Sequence, residues 1–370
     1  MKKYVQKVIH ELATITTRDK KPNINDLKEY TQKVIRELAM LTTSDKKPNI
    51  NDLWLALKDV DVLRLNVKNF GYHIAREMQP LLASIDYSSE PRIHGLVSKP
   101  TTQIDVESTW FRYWCNEIKA APIYHRKLWE FAFLLQGLHE NGVLHEGKEG
   151  IGFGCGQEPL ASYFASRKMK VVVTDLAPEK VAGLGWAETG QHASALEQAY
   201  YPDIVSREVF DQHVQHRYVD MNDVPNFGRE FDFCWSVCAL EHLGSIKNGL
   251  DFIRNSLSVL RPGGIAIHTT EFNYLSKDKT IDNWPTVLFL REHFEELATL
   301  LSKQGHTMLG PDFNTGNGVL DRFIDVPPYA MGEGWLSRDQ WSDANQAGHL
   351  KLSIDGFPCT CFGIIIKKAH

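Results

Sequence analysis

The chain is poor in cysteine. It has six in 370 residues, Cys115, Cys155, Cys234, Cys238, Cys359 and Cys361. None forms a C-x-x-C pair and no cluster has the spacing of a zinc site, so neither a bound metal nor a disulfide framework is expected. The pattern is that of reduced thiols in a cytoplasmic protein. Cys359 and Cys361 stand two apart in an apolar run, which in a strand places both on one face as small buried hydrophobes. Long apolar runs are missing as well. No span approaches ~18 apolar residues, and the opening Met-Lys-Lys-Tyr-Val-Gln-Lys leads into polar residues rather than a signal-peptide core, so neither a membrane nor secretion is expected. Positive charge is in short supply too: 41 Lys and Arg against 46 Asp and Glu give a net charge of -5. Without an overall basic field for a phosphate backbone, nucleic acid is not an expected partner. Apolar content is plentiful at 43%, enough over this length for a sizeable core in two or three domains.

Along the chain, Tyr4 to Leu27 and Tyr30 to Leu53 are near copies at an offset of 26 residues, identical at 19 of 24 positions. Each reads as a short amphipathic helix followed by a polar Asp-Lys-Lys-Pro-Asn turn. Two copies are too few for a solenoid, so residues 1–53 read as duplicated helix-turn units. Residues 54–105, with Pro80, Pro91 and Pro100, read as a linker or small unassigned region. Residues 106–147 are dense in aromatics, and Lys127 to Leu138 fits a helix with a broad apolar face. From 148 to 370, strand-like runs alternate with helical patterns: Gly150 to Gly154, Lys170 to Asp175, His216 to Met221, Phe231 to Val237, Gly264 to Thr270 and Cys359 to Lys367. This alternation predicts an α/β domain, a mostly parallel sheet with helices on both faces, behind a helical N-terminal extension.

The chemistry begins at Gly152-Phe153-Gly154-Cys155-Gly156. Between a strand and a helix, such a loop lets backbone N–H groups approach a ligand that side chains would block. Alone, the triplet also suits a dinucleotide or a plain turn. The next strand-like run ends in Asp175, 19 residues beyond Gly156, the spacing of an acid that accepts both ribose hydroxyls of a nucleotide. A third run ends in Asp220 and Met221, a fourth leads through Ser236 and Val237 into Leu240-Glu241-His242-Leu243, and Leu260-Arg261-Pro262-Gly263-Gly264 turns into a fifth.

Those five ordered segments, GFGCG, VVVTD, VDM, FDFCWSVCALEHL and LRPGG, make the chain similar to the S-adenosylmethionine-dependent methyltransferases of the seven-stranded Rossmann-like type, over roughly residues 148–370. The resemblance implies that Gly152, Gly154 and Gly156 hold the methionine part of S-adenosyl-L-methionine. It assigns Asp175 and the adjoining Leu176 to the ribose, Asp220 and Met221 to the adenine, and Ser236 with Val237 to the sulfonium side. It also implies that the helix at Tyr124 to Phe131 is a cap folded over the cofactor. The Glu-His pair and the Arg-Pro-Gly-Gly turn set it apart from nicotinamide-dependent domains.

Methyl transfer from a sulfonium is an in-line displacement, and a hydroxyl acceptor also needs a base. His242 and His268 are the expected bases, with Glu241 and Glu271 to orient an imidazole or take the proton themselves. Asn273, Tyr274, Asp325, Tyr329, Trp284 and Trp335 offer polar or flat surfaces for an acceptor. The expected activity is O-methylation of a carbohydrate or other small hydroxyl compound. An N-methyltransferase acting on an amine or a protein side chain, and a non-catalytic binding protein, are the alternatives.

Overall fold

A computed structural model describes residues 50–86, 90–178, 196–327, 329 and 348–370. The chain divides into two compact units, Met1–Val67 and Lys68–His370. The duplicated units fall almost wholly outside the described residues, as does Trp335. The described part of the first unit is the start of helix α1 (Ile50–Ser84). Residues 54–84 are therefore helical rather than linker. Pro80 lies inside the helix, where it removes one backbone donor without ending the run.

The second unit is built on a ten-stranded sheet. Strands β3 (Glu149–Phe153), β4 (Lys170–Asp175), β5 (Val214–Tyr218), β6 (Phe231–Val237) and β7 (Leu260–Asn273) lie in the order β5-β4-β3-β6-β7, all parallel. Strand β12 (Phe357–Lys367) runs antiparallel to β7, and β8 (Thr307–Met308) pairs with its far end. These seven strands carry the expected Rossmann-like order. Three more join: β1 (Lys99–Pro100) at the middle of β12, β11 (Lys351–Ile354) at its other end and, beyond β11, β9 (Ile324–Asp325). Lys99 and Pro100 are thus an edge strand and not a linker, a place proline tolerates because an edge residue can face away from the ladder. A separate two-stranded parallel ladder joins β2 (Tyr124–His125) to β10 (Gly348–His349). Among the described residues no helix is long and apolar enough to cross a membrane.

The aromatic segment before the glycine loop packs on the sheet. Helix α4 (Arg126–Glu140) lies flat on the sheet, and every residue from Leu128 to Leu138 is buried. A helix apolar almost all round needs cover on all sides. A Cβ on Gly137 would press on Ile267 and Ile365, and one on Gly363 would strike the Phe133 ring, so glycine on either side sets how closely helix and sheet approach. Trp114 from α3 (Thr109–Glu117) and the α4 aromatics share one core with Val171, Val173, Trp235, Ile267 and Ile365. The opposite face of the sheet packs Ile151, Phe153, Cys234, Ala266 and Ile364 against α7 (Ile246–Ser256) and α8 (Arg291–Lys303).

Candidate functional site

Strand β3 ends at Phe153, and the chain reverses through Gly154 (φ +60°) and Gly156 (φ +52°), conformations that a side chain strongly disfavours. The three glycines serve different ends. A Cβ on Gly154 would lie 2.8 Å from the Ala239 methyl and 3.2 Å from Met221 Sδ, so the turn, the loop after β5 and the loop after β6 converge on one cradle. Gly152 lies in the strand with no such backbone demand; a Cβ there would collide with the Trp235 ring and the Cys155 sulfur. Its glycine is needed for packing rather than ligand approach. Gly152→Val is therefore expected to destabilise the fold by about 1–3 kcal/mol through overpacking, seen as a lowered denaturation midpoint.

Asp175 closes the cradle at the end of β4. One carboxylate oxygen accepts from the Gly156 N–H at 3.3 Å and the other from Leu176 N–H at 2.8 Å, which fixes the acid beside the turn. The Cys155 N–H donates to the Thr174 carbonyl at 3.1 Å, tying loop to strand. Strand β5 stops at Tyr218, earlier than the apolar run suggests, so Asp220 and Met221 stand in the turn that follows. There Asp220 accepts from the Asn222 N–H at 3.0 Å, and Met221 is buried.

Side-chain alternation divides β7 between two environments. Ile267, Thr269 and Glu271 face α4, whose residues at helical spacing meet them in turn: Gly137 under Ile267, Glu130 on Thr269 and Arg126 on Glu271. Cys361, paired in register with Glu271, joins the same row. Its thiol donates to Glu130 Oε1 at 2.9 Å and lies 3.1 Å from Arg126 and 3.5 Å from the Cys238 sulfur. Strand β6 leaves the sheet at Cys238, a non-glycine residue with φ +47°, and such backbone strain gathers at functional sites. Cys238, Glu241 and Glu271 bring their polar atoms within 4.8 Å of one another, as do Glu130, Cys238 and Cys361. Arg126 and Lys127 already supply positive charge to this group, Lys127 at 3.6 Å from Glu130. Burial pushes Glu241 towards its neutral form, and the neighbouring Glu271 adds to that push. For Glu130, burial acts in the same upward sense, but Lys127 and Arg126 outweigh it and hold the carboxylate ionised. Burial raises Cys361 to about 11 and keeps it a thiol. Glu271 Oε2 is buried with no hydrogen-bond partner among the described residues.

Glu241 and Glu271 are thus brought together as expected catalytic candidates. His242 stands beside them at the rim, Nε2 4.0 Å from Glu241 Oε1, with Nδ1 on the Pro285 carbonyl at 3.0 Å. Arg126, Lys127, Glu130, Cys238 and Cys361 escaped sequence reasoning, three of them, Glu130, Cys238 and Cys361, because they sit inside apolar stretches. The one available signal was charge at Arg126, Lys127 and Glu130 on a helix otherwise too apolar to carry it.

His268 and Ser236 belong elsewhere. Their side chains point to the α7 side, where His268 packs on Phe252 and is fully buried. Its Nδ1 lies 2.8 Å from Ser236 Oγ and its Nε2 3.1 Å from Ser256 Oγ. Ser256 donates its own proton to Ile253 O, so it accepts from Nε2–H and Ser236 donates to Nδ1. With both nitrogens occupied and burial lowering its pKa to about 3, His268 is a neutral structural residue rather than a base. Ser236 is buried on the α7 side with it, while Val237 stays on the α4 side. Since the unfolded chain takes up the His268 proton near pH 6.5 and the native one only near 3, stability falls as pH drops through that window. His268→Gln should make the acid limb of a denaturation-midpoint profile shallower; an unchanged limb would refute this role.

Of the expected acceptor residues, Asn273 is buried and donates to the Lys279 carbonyl at 2.9 Å, a structural bond. Trp284 is exposed, and Tyr274 is partly buried, its hydroxyl raised to about 12 by burial. Asp325 and Tyr329 instead gather with Lys68, Tyr72 and His349.

A family model described as a methyltransferase domain matches residues 125–309, half of the chain. No curated protein matches. Among similar solved structures are an S-adenosylmethionine-dependent methyltransferase from Clostridium acetobutylicum (11% identity, 70% of this chain and 98% of the other, TM-score 0.37) and one from Mesorhizobium loti (12%, 62% and 95%, 0.34). The cyclase SpnF is another (16%, 81% and 97%, 0.42). The family match runs from the start of α4 through the glycine turn and every parallel strand that frames it, and on that match the chain belongs to the S-adenosylmethionine-dependent methyltransferases.

Proposed function

We propose that this enzyme methylates a hydroxyl of a carbohydrate or a similarly polar small molecule. The observation that carries the reading is Glu271 Oε2, which has no hydrogen-bond partner among the described residues and is buried among charged side chains beside the strained Cys238 turn. An unmet buried acceptor costs about 1–3 kcal/mol, which a hydroxyl donor from a bound acceptor would offset. Arg126, Lys127, Glu130 and Glu241 add donors and acceptors of both signs, which suits a molecule rich in hydroxyls. An ammonium acceptor would meet the two cations as well as the acids, which makes the amine reading weaker.

S-adenosyl-L-methionine supplies the electrophilic methyl group when bound. The cradle residues fit it: Gly154 and Gly156 would leave room for the methionine part, Asp175 and Leu176 would hold the ribose, and Asp220 and Met221 the adenine. Val237 and the adjoining Cys238 would serve the sulfonium side, in place of Ser236. Glu241 and Glu271 orient the acceptor, and His242 guards the rim. Screening labelled cofactor against hydroxyl and amine libraries tests the proposal: methyl groups recovered on oxygen are expected, and transfer to nitrogen alone would overturn it.

A further inference from the structure

Resting on that reading, we propose that His349, held by Asp325, is the general base that removes the proton from the acceptor hydroxyl. His349 Nδ1 lies 2.7 Å from Asp325 Oδ2, a carboxylate with almost no solvent exposure. Asp325 is itself over-determined. Lys68 Nζ donates to Oδ1 at 2.8 Å, the Tyr72 hydroxyl to Oδ2 at 2.9 Å and the Val326 N–H to Oδ1 at 2.8 Å. Burial opposes the charge on Asp325, but His349 and Lys68 outweigh it and keep the group ionised. An anionic partner on Nδ1 fixes the tautomer with the proton there and leaves the Nε2 lone pair to act. Nε2 makes no hydrogen bond among the described residues.

Backbone register carries this imidazole to the charged cluster. In the β2–β10 ladder His349 stands opposite His125, and the two rings lie 4.9 Å apart between centroids. The next residue after His125 is Arg126, the partner of Glu271. Along the sheet, Asp325, Leu352, Cys359 and Asn273 form one row across β9, β11, β12 and β7, two residues beyond Glu271 towards the carboxyl end where ligands bind in such sheets. Among the described residues, Asp325 from β9, Glu271 from β7, His125 from β2, Arg126 from the start of α4, Lys68 and Tyr72 from α1, and Tyr329 are titratable groups around His349. Burial and Arg126 lower its pKa while Asp325 and Glu271 raise it; the net lowering keeps it neutral at pH 7.

In the transfer, the acceptor oxygen bonds to the methyl carbon as the carbon–sulfur bond breaks and its electron pair stays on sulfur. The hydroxyl proton passes to His349 Nε2, so the positive charge lost from the sulfonium ends on an imidazolium beside Asp325, and later leaves to water. Lys68 and Tyr72 are positioning residues, acting through the carboxylate.

The experiment has two arms on the full-length protein. Histidine-selective nitrogen NMR reads the tautomer without any acceptor: a neutral ring protonated on Nδ1 is expected, altered by Asp325→Asn, and an Nε2-protonated ring would overturn the proposal. The second arm uses labelled cofactor with a panel of methyl glycosides and amino sugars. His349→Gln should lower kcat about 100-fold or more with cofactor affinity unchanged by calorimetry, and imidazole should partly rescue His349→Ala. Asp325→Asn should lower kcat with little change in KM and move the rising limb of the pH profile to lower pH, because the group that raises the His349 pKa is gone. Full activity of His349→Gln on a hydroxyl would refute the base and leave the hydroxyl reading standing. Transfer to amines only, or to nothing on the panel, would refute the hydroxyl reading and with it the base.

Discussion

Asp175→Ala is expected to weaken S-adenosyl-L-methionine binding by about 30- to 150-fold, measured by calorimetry as a loss of about 2–3 kcal/mol. Two effects combine. A carboxylate placed to accept from ribose hydroxyls is removed, and the Gly156 and Leu176 N–H groups that it now fixes lose their acceptor. Unchanged affinity in Asp175→Ala would mean that the cradle is not the cofactor site.

Arg126→Met is expected to destabilise the protein by about 3–5 kcal/mol and to abolish turnover, because it leaves Glu271 and Cys361 inside the sheet without the cation that faces both. The loss should fall mainly on the uncompensated acid. Adding Glu271→Gln to Arg126→Met should therefore recover a large part of the stability in denaturant titrations, with a coupling energy far from zero. It should not recover activity. Additive losses in the double variant would show that Arg126 and Glu271 do not act as a pair.

The strands and the turn were legible because they rest on local rules. Runs such as Val171-Val172-Val173 suit strands buried on both faces, and the Gly154 and Gly156 conformations exclude most other residues. Asp175 was legible because its distance along the chain is fixed by one turn, one helix and one strand. How residues 106–147 pack was less legible. A helix buried on all sides has the same composition whatever covers it, and only the fit of Gly137 and Gly363 shows how closely it lies on the sheet.

The catalytic candidates divide along the same line. Glu241, His242 and Glu271 stand just after or at the ends of strands that the sequence had already placed. His268 also lies on such a strand, yet one step of alternation puts it on the other face, between two serines. His349 and Asp325 are 24 residues apart and carry no spacing signal; they meet because the added strands β9, β10 and β11 fold back on the sheet edge and on β2.

By itself, then, the sequence determined the class of sheet, the glycine turn and the acid beside it, since these follow from backbone sterics and periodicity. The tertiary structure alone decided which face each side chain occupies and which charges meet across distant strands. Burial and pairing set the chemistry of a histidine or a glutamate, and both depend on residues far away in the chain.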